Sequence, residues 1–208
     1  MWNYERRLQF PVSIKEPNAK LAQDIISQFG GPDGELAASM RYLSQRYSMP
    51  YKEVACLLTD IGTEELAHLE MIGAIVFQLT RNLSMEEIEK SGFDRYYVDH
   101  TIGVWPQAAG GIPFNACEFQ VKGDIITDLY EDMAAEQKAR STYDNILRLA
   151  KDPDVAAPIR FLRQRELVHF QRFGEALRLT QEKLNSKNFY AFNPSFDKAA
   201  DSDCKTCK

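Results

Sequence analysis

Glu65-Leu66-Ala67-His68 and Glu166-Leu167-Val168-His169 are two copies of one motif, and they use two of the three histidines in a chain of 208 residues. Both lie in long stretches of helical spacing. Residues three apart on a helix share a face, so the carboxylate and imidazole of each copy can reach one ion or two adjacent ions. A single Glu-x-x-His in a helix-rich chain is a weak signal, because a solvated helix face often carries one. Its matched repetition is far more specific. Glu35 precedes Glu65 by 30 residues (65 − 35) and Glu136 precedes Glu166 by 30 (166 − 136). A lone Glu on one helix and Glu-x-x-His on the next, twice over, is the inward-facing pattern of dinuclear carboxylate centres in four-helix bundles.

The repeat also chooses between neighbours. Glu64 stands one turn from His68, but the matching position in the other half is Arg165, so Glu65 is the ligand candidate. Glu131 and Asp132 yield to Glu136 on the same ground. Ala37-Ala38, Ala67 and Ala134-Ala135 put small side chains beside the candidates and leave room between helices. Four carboxylates aimed at an apolar interior would cost several kcal/mol each if left unpaired. Two divalent cations match that charge. His100, in Tyr96-Tyr97-Val98-Asp99-His100, has no such company and reads as an ordinary hydrogen-bonded loop histidine.

Working outward, a helical stretch around Asn18 to Phe29 stops at Gly30-Gly31-Pro32-Asp33-Gly34, and Glu35 to Tyr47 resumes helical spacing. Pro50 suits the first turn of the next helix, which reads unbroken to about Thr80. The second pair runs from about Gly123 to Ala150 and from Pro153 to about Lys183, with Asp152 as cap and Pro153 at the first helical position. Between the pairs, about 82–121, lies a long crossover with a short helix capped by Ser84 and Glu87 and with Gly/Pro-rich loops. Leu8, Phe10, Val12 and Ile14 alternate as in an extended arm, packed either on its own bundle or on another subunit. The expected fold class is therefore all-α: an arm over 1–17, a four-helix bundle over 18–184, and a tail over 185–208 ending in Cys204-Lys205-Thr206-Cys207.

Apolar residues make up 44% of the chain and aromatics 11%, enough for one sizeable core. A balance of 25 basic against 30 acidic residues gives no reason to seek nucleic acid or anionic membranes. Met71 to Leu79, interrupted by Gln78, is too short to span a bilayer, and Met1 to Lys20 lacks the layout of a secretory signal. A soluble protein of an internal compartment is expected. Cys56 and Cys117 read as reduced, buried thiols. The terminal Cys-x-x-Cys is at most half a zinc site and reads as a bland tail, with cross-linking to neighbours as the sharper alternative.

The sequence resembles the manganese catalase family, in particular its CotJC-type spore coat branch. The resemblance runs along nearly the whole chain. It rests on Gly30-Gly31-Pro32-Asp33-Gly34-Glu35-Leu36, on Leu58 to His68 (Leu-Thr-Asp-Ile-Gly-Thr-Glu-Glu-Leu-Ala-His), on Asp128-Leu129-Tyr130-Glu131-Asp132 leading to Ala134-Ala135-Glu136, on Arg165-Glu166 leading to His169, and on Asn193-Pro194-Ser195-Phe196-Asp197. It implies a ferritin-like bundle holding two manganese ions per chain, with Glu35, Glu65 and His68 on one ion, Glu136 and His169 on the other, and Glu65 bridging.

Glu166 becomes an outer-sphere acid/base by resemblance, whereas the repeat alone makes it a ligand. Disproportionation of hydrogen peroxide, a homohexamer, and a cytoplasmic or spore-coat location are further implications. Family members place another basic side chain near the site, for which Lys138, Arg140 and Arg163 are the candidates. Two rivals remain: a di-iron oxidase or rubrerythrin-type peroxidase, since these ligands do not select manganese over iron, and a structural coat protein that retains the site. Rubrerythrins carry two Cys-x-x-Cys pairs, where this chain has one.

Overall fold

The computed structural model describes residues 7–184. Its helices are α1 (Ala19–Ile25), α2 (Ser27–Gly30), α3 (Glu35–Gln45), α4 (Lys52–Thr80), α5 (Met85–Ser91), α6 (Asp94–His100), α7 (Ile125–Leu149) and α8 (Pro153–Leu184). The four longest form the bundle: α3 packs along α4 and α7 along α8, while α4 meets α8 and α3 meets α7. Helix pair, crossover, helix pair is the order read from the sequence. Among the described residues no strand forms, and no helix is long and apolar enough to cross a membrane.

The site is positioned by the seam of each helix. On α4 the buried residues Leu58, Ile61, Glu65, His68, Ile72, Ile75 and Leu79 recur at intervals of three and four; on α8 so do Ile159, Leu162, Glu166, His169, Phe173 and Ala176. The charged pairs thus occupy ordinary core positions in mid-helix. Apolar clusters close over them at both ends. One gathers Met71, Ile72, Ile75, Tyr143, Ile159 and Leu162; the other gathers Tyr42, Leu58, Ile61, Leu129 and Phe173. The result is a thin polar layer between two dry ones.

Caps set the boundaries. Asn18 accepts from Leu21 N at 3.0 Å, Ser84 and Glu87 form a complete capping box, and Asp152 accepts from Asp154 N at 2.9 Å. Pro50 lies just outside α4, which starts at Lys52. The turn between α2 and α3 is too tight for a side chain at Gly34, where a Cβ would lie 2.9 Å from the carbonyl oxygens of Gln28 and Ser27. It delivers Glu35 as the first residue of α3, with its carboxylate at the positive end of that helix.

Gly30 does similar service for the crossover, since a Cβ there would fall 2.2 Å from Pro106 C and 2.3 Å from Gln107 N. Gly30→Ala must push backbone against backbone. The expected loss is about 1–3 kcal/mol of stability, read as a lower denaturant midpoint at unchanged slope.

The crossover contains one helix more than the sequence suggested. α6 has no side-chain cap; it is held by Tyr96, whose hydroxyl donates to Gly103 O at 2.5 Å and accepts from Trp105 N at 2.8 Å. The described part of the N-terminal arm lies on its own bundle. Ile14 is buried, Phe10 stacks on Phe161 at 5.1 Å, and Gln78 accepts from Ile14 N and donates to Val12 O. Gln78, the polar break in the α4 apolar run, is therefore a docking point for the arm.

Cys56 and Cys117 correct the sequence reading: both thiols are exposed. Cys56 falls on the outer face of α4 between the buried Val54 and Leu58, and Cys117 sits in a 3-10 turn of the crossover. Cys204 and Cys207 lie outside the described residues.

Candidate metal centre

Glu35, Glu65, His68, Glu136, Glu166 and His169 come from four helices and are each no more than 2% exposed. Their donor atoms form two groups, Glu35/Glu65/His68/Glu166 and Glu65/Glu136/His169, each with atoms within 4.8 Å of one another. Glu65 belongs to both. Its Oε2 lies 2.7 Å from His68 Nδ1 and its Oε1 lies 2.7 Å from His169 Nδ1, the second pair without the alignment of a hydrogen bond. His68 Nδ1 is also 3.6 Å from Glu35, and His169 Nδ1 is 3.5 Å from Glu136. The imidazoles stack at 5.6 Å on either side of this carboxylate. Such clusters suit a dinuclear metal centre.

The two halves are cross-braced by residues that sequence reasoning passed over. Tyr42 donates to Glu136, and Tyr143 donates to Glu35. Each tyrosine stands seven residues after the Glu of its own helix (42 − 35, 143 − 136) and reaches the Glu of the other half. The doubled Glu-x6-Tyr is legible in the sequence, but a tyrosine on an apolar helical seam reads first as core.

The basic candidates are elsewhere. Lys138 pairs with Asp33 at 2.8 Å, while Arg140 and Arg163 converge on Asp144 at 2.7 and 2.5 Å. Among the described residues the deeply buried cation is instead Arg41, on α3, 3.2 Å from Glu131 and stacked over Phe119 of the crossover. Asp132, also fully buried, faces this region and belongs to neither ligand group.

Without metal, the carboxylates compete for too little positive charge. Burial, then the charge of Glu65, pushes Glu35 up to about 7. Burial, with Glu35 and Glu136 close by, raises Glu166 well above the usual range. Burial opposes ionisation of Glu65 as well, but His169 and His68 outweigh it and hold that carboxyl low. The histidines move up despite burial, chiefly through the charge of Glu65.

These directions give a sign for pH dependence. Glu35, Glu166 and the histidines hold protons in the folded metal-free chain that the unfolded chain releases from about pH 4.5 and 6.5 upward. Stability they contribute at low pH is lost as pH rises through their folded values, about 3 kcal/mol for Glu35 alone. The lowered Glu65 acts only below about pH 4.5. Metal-free protein is therefore expected to melt at falling temperature from pH 5 to pH 8, and manganese, by displacing those protons, should abolish the fall. Thermal scans with and without the ion check both slopes.

The family model described as manganese containing catalase matches residues 1–199. The chain belongs to that family. Protein CotJC of Bacillus subtilis (strain 168) is 48% identical over 190 residues, covering 91% of this chain and 100% of the relative. A Clostridium acetobutylicum protein named "Probable manganese catalase" is 32% identical, over 91% of this chain and 85% of its own. Among solved structures, KatB, a manganese catalase from Anabaena, aligns with a TM-score of 0.81 at 30% identity, covering 86% of this chain and 81% of its own. The helical bundle with a long crossover is thus the family's ferritin-like fold.

Proposed function

We propose that the chain is a dimanganese catalase, converting two molecules of hydrogen peroxide into two of water and one of oxygen. The convergence of six buried ligand-type side chains into two groups sharing Glu65 carries this reading, in a chain of this family. The residues fit a metal pair. Glu65 Oε1, Glu136 Oε2, Glu166 Oε1 and His169 Nδ1 are buried without hydrogen-bond partners, and four carboxylates there match two divalent ions in charge. We assign Glu35, Glu65 and His68 to one ion and Glu136 and His169 to the other, with Glu65 bridging. A manganese pair supplies two-electron storage and Lewis acidity toward peroxide oxygens.

The chain's own part is positioning and proton handling. Cleaving one peroxide to two waters takes two electrons and two protons, and oxidising the second to oxygen returns two of each. Glu166 suits that proton traffic: it sits beside Glu35, Glu65 and His68, burial raises its carboxyl well above the usual range, and its Oε1 has no competing partner. Tyr42 and Tyr143 hold Glu136 and Glu35 from outside. The apolar clusters above and below exclude water that would otherwise compete for the site.

A di-iron peroxidase would need an external reductant and release no gas. One oxygen per two peroxides from purified, manganese-loaded protein without a donor is expected; peroxide consumption that depends on an added donor would contradict the reading. The CotJC-type resemblance supports a working place in a spore coat layer, where catalysis and a structural role can coexist, and a homohexamer, checked by mass in solution.

A further inference from the structure

Glu64 lies outside both ligand groups, yet it faces both histidines. Its Oε2 is 3.1 Å from His169 Nε2, within hydrogen-bond reach, and its Oε1 is 3.5 Å from His68 Nε2, an ion-pair distance without hydrogen-bond alignment. These are the nitrogens that point away from Glu65; the Nδ1 atoms are the ones turned toward it. An imidazole whose Nε2–H points at a carboxylate keeps the lone pair of Nδ1 for an ion, and the carboxylate fixes ring rotation and raises ligand basicity.

A carboxylate serving two rings must itself be held. Arg165 grips Glu64 with two bonds, Nε to Oε1 at 2.7 Å and Nη2 to Oε2 at 3.1 Å, and Gln9 Nε2 donates to Oε1 at 2.9 Å. Two oxygens offer about four acceptor sites, which the His169 ring, the two guanidinium bonds and the Gln9 amide fill, while His68 stands at ion-pair distance. Position 165 is the repeat counterpart of position 64, 101 residues on (165 − 64), the same offset as Glu65 to Glu166 and His68 to His169. The two equivalent positions meet between α4 and α8. Two glutamates there would repel each other and add charge to a centre already matched to two divalent ions. Glutamate facing arginine adds none.

We propose that Glu64, clamped by Arg165 and by Gln9 of the N-terminal arm, is a shared positioning residue that aims both histidines at the metal pair. The proposal rests on the dinuclear reading above, and its test separates the two. Manganous ion is titrated against a chelating indicator for wild type, Glu64→Gln, and the double variant Glu64→Gln/Arg165→Gln. Thermal unfolding of each metal-free chain confirms the fold. Wild type that binds no pair of ions removes the dinuclear reading itself. With wild type binding its pair, Glu64→Gln is expected to bind about 10–100-fold more weakly, and its electron paramagnetic resonance spectrum at saturating manganese should differ from wild type. The double variant removes the unpaired arginine and is expected to stay weak. Unchanged affinity and spectrum in Glu64→Gln would overturn the positioning role. So would recovery of wild-type affinity in the double variant, which would assign the loss to the stranded Arg165 charge.

Discussion

Glu65→Gln is expected to empty the metal centre and to take oxygen evolution below detection, a loss on the order of 10³-fold or more in affinity, equivalent to about 4 kcal/mol. Glu65 is the one side chain common to both ligand groups, with one oxygen toward each histidine. The amide keeps the shape of the carboxylate but offers one acceptor oxygen and no charge. One ion therefore loses its Glu65 oxygen, the bridge is broken, and the four-to-four balance of charge becomes three to four. Retained fold with lost metal, seen by circular dichroism and metal analysis on one sample, is the expected pair of results. A Glu65→Gln chain that still carries both ions would show that Glu65 does not bridge.

Glu166→Gln should behave in the opposite way. Both ions stay, while turnover falls about 10²–10⁴-fold, the usual contribution of a positioned acid/base. The basis is that Glu166 Oε1 lacks a partner and that its carboxyl is driven toward the protonated form by burial and by Glu35 and Glu136. A carboxyl shifted in that direction is a poorer ligand and a better proton store. Glu166 also lies within the first ligand group, which gives the test its opposite outcome. If the variant loses an ion together with its activity, Glu166 is a ligand and the proton must be handled elsewhere.

Much of this was legible because the ligands sit on the same helical seam as the core. Leu58, Ile61, Glu65, His68 and Ile72 announce a helix whatever their polarity, and the thirty-residue offsets single out the residues that the fold brings together. The crossed tyrosines were missed because Tyr42 and Tyr143 satisfy the core pattern without any further role. Glu64 was passed over for a more instructive reason. Its counterpart Arg165 looked like a broken repeat, whereas opposite charges at equivalent positions are what allow those positions to meet.

Side chains that face outward carry no such periodic signal. Cys56 and Cys117 read as interior from their apolar or amphipathic surroundings, and Lys138, Arg140 and Arg163 are candidates only through the basic side chain that the family resemblance implies; pairing with Asp33 and Asp144 holds the three cations instead. α6 escaped because its first turn lacks a capping side chain and it depends on Tyr96 binding the loop beyond it.

The most direct measurement is a titration of metal-free chain with manganese in which bound metal and oxygen evolution are followed together. The account predicts that binding saturates at two ions per chain and that oxygen evolution appears with the occupied pair. Saturation at one ion per chain, or full activity reached with only one bound, would contradict it.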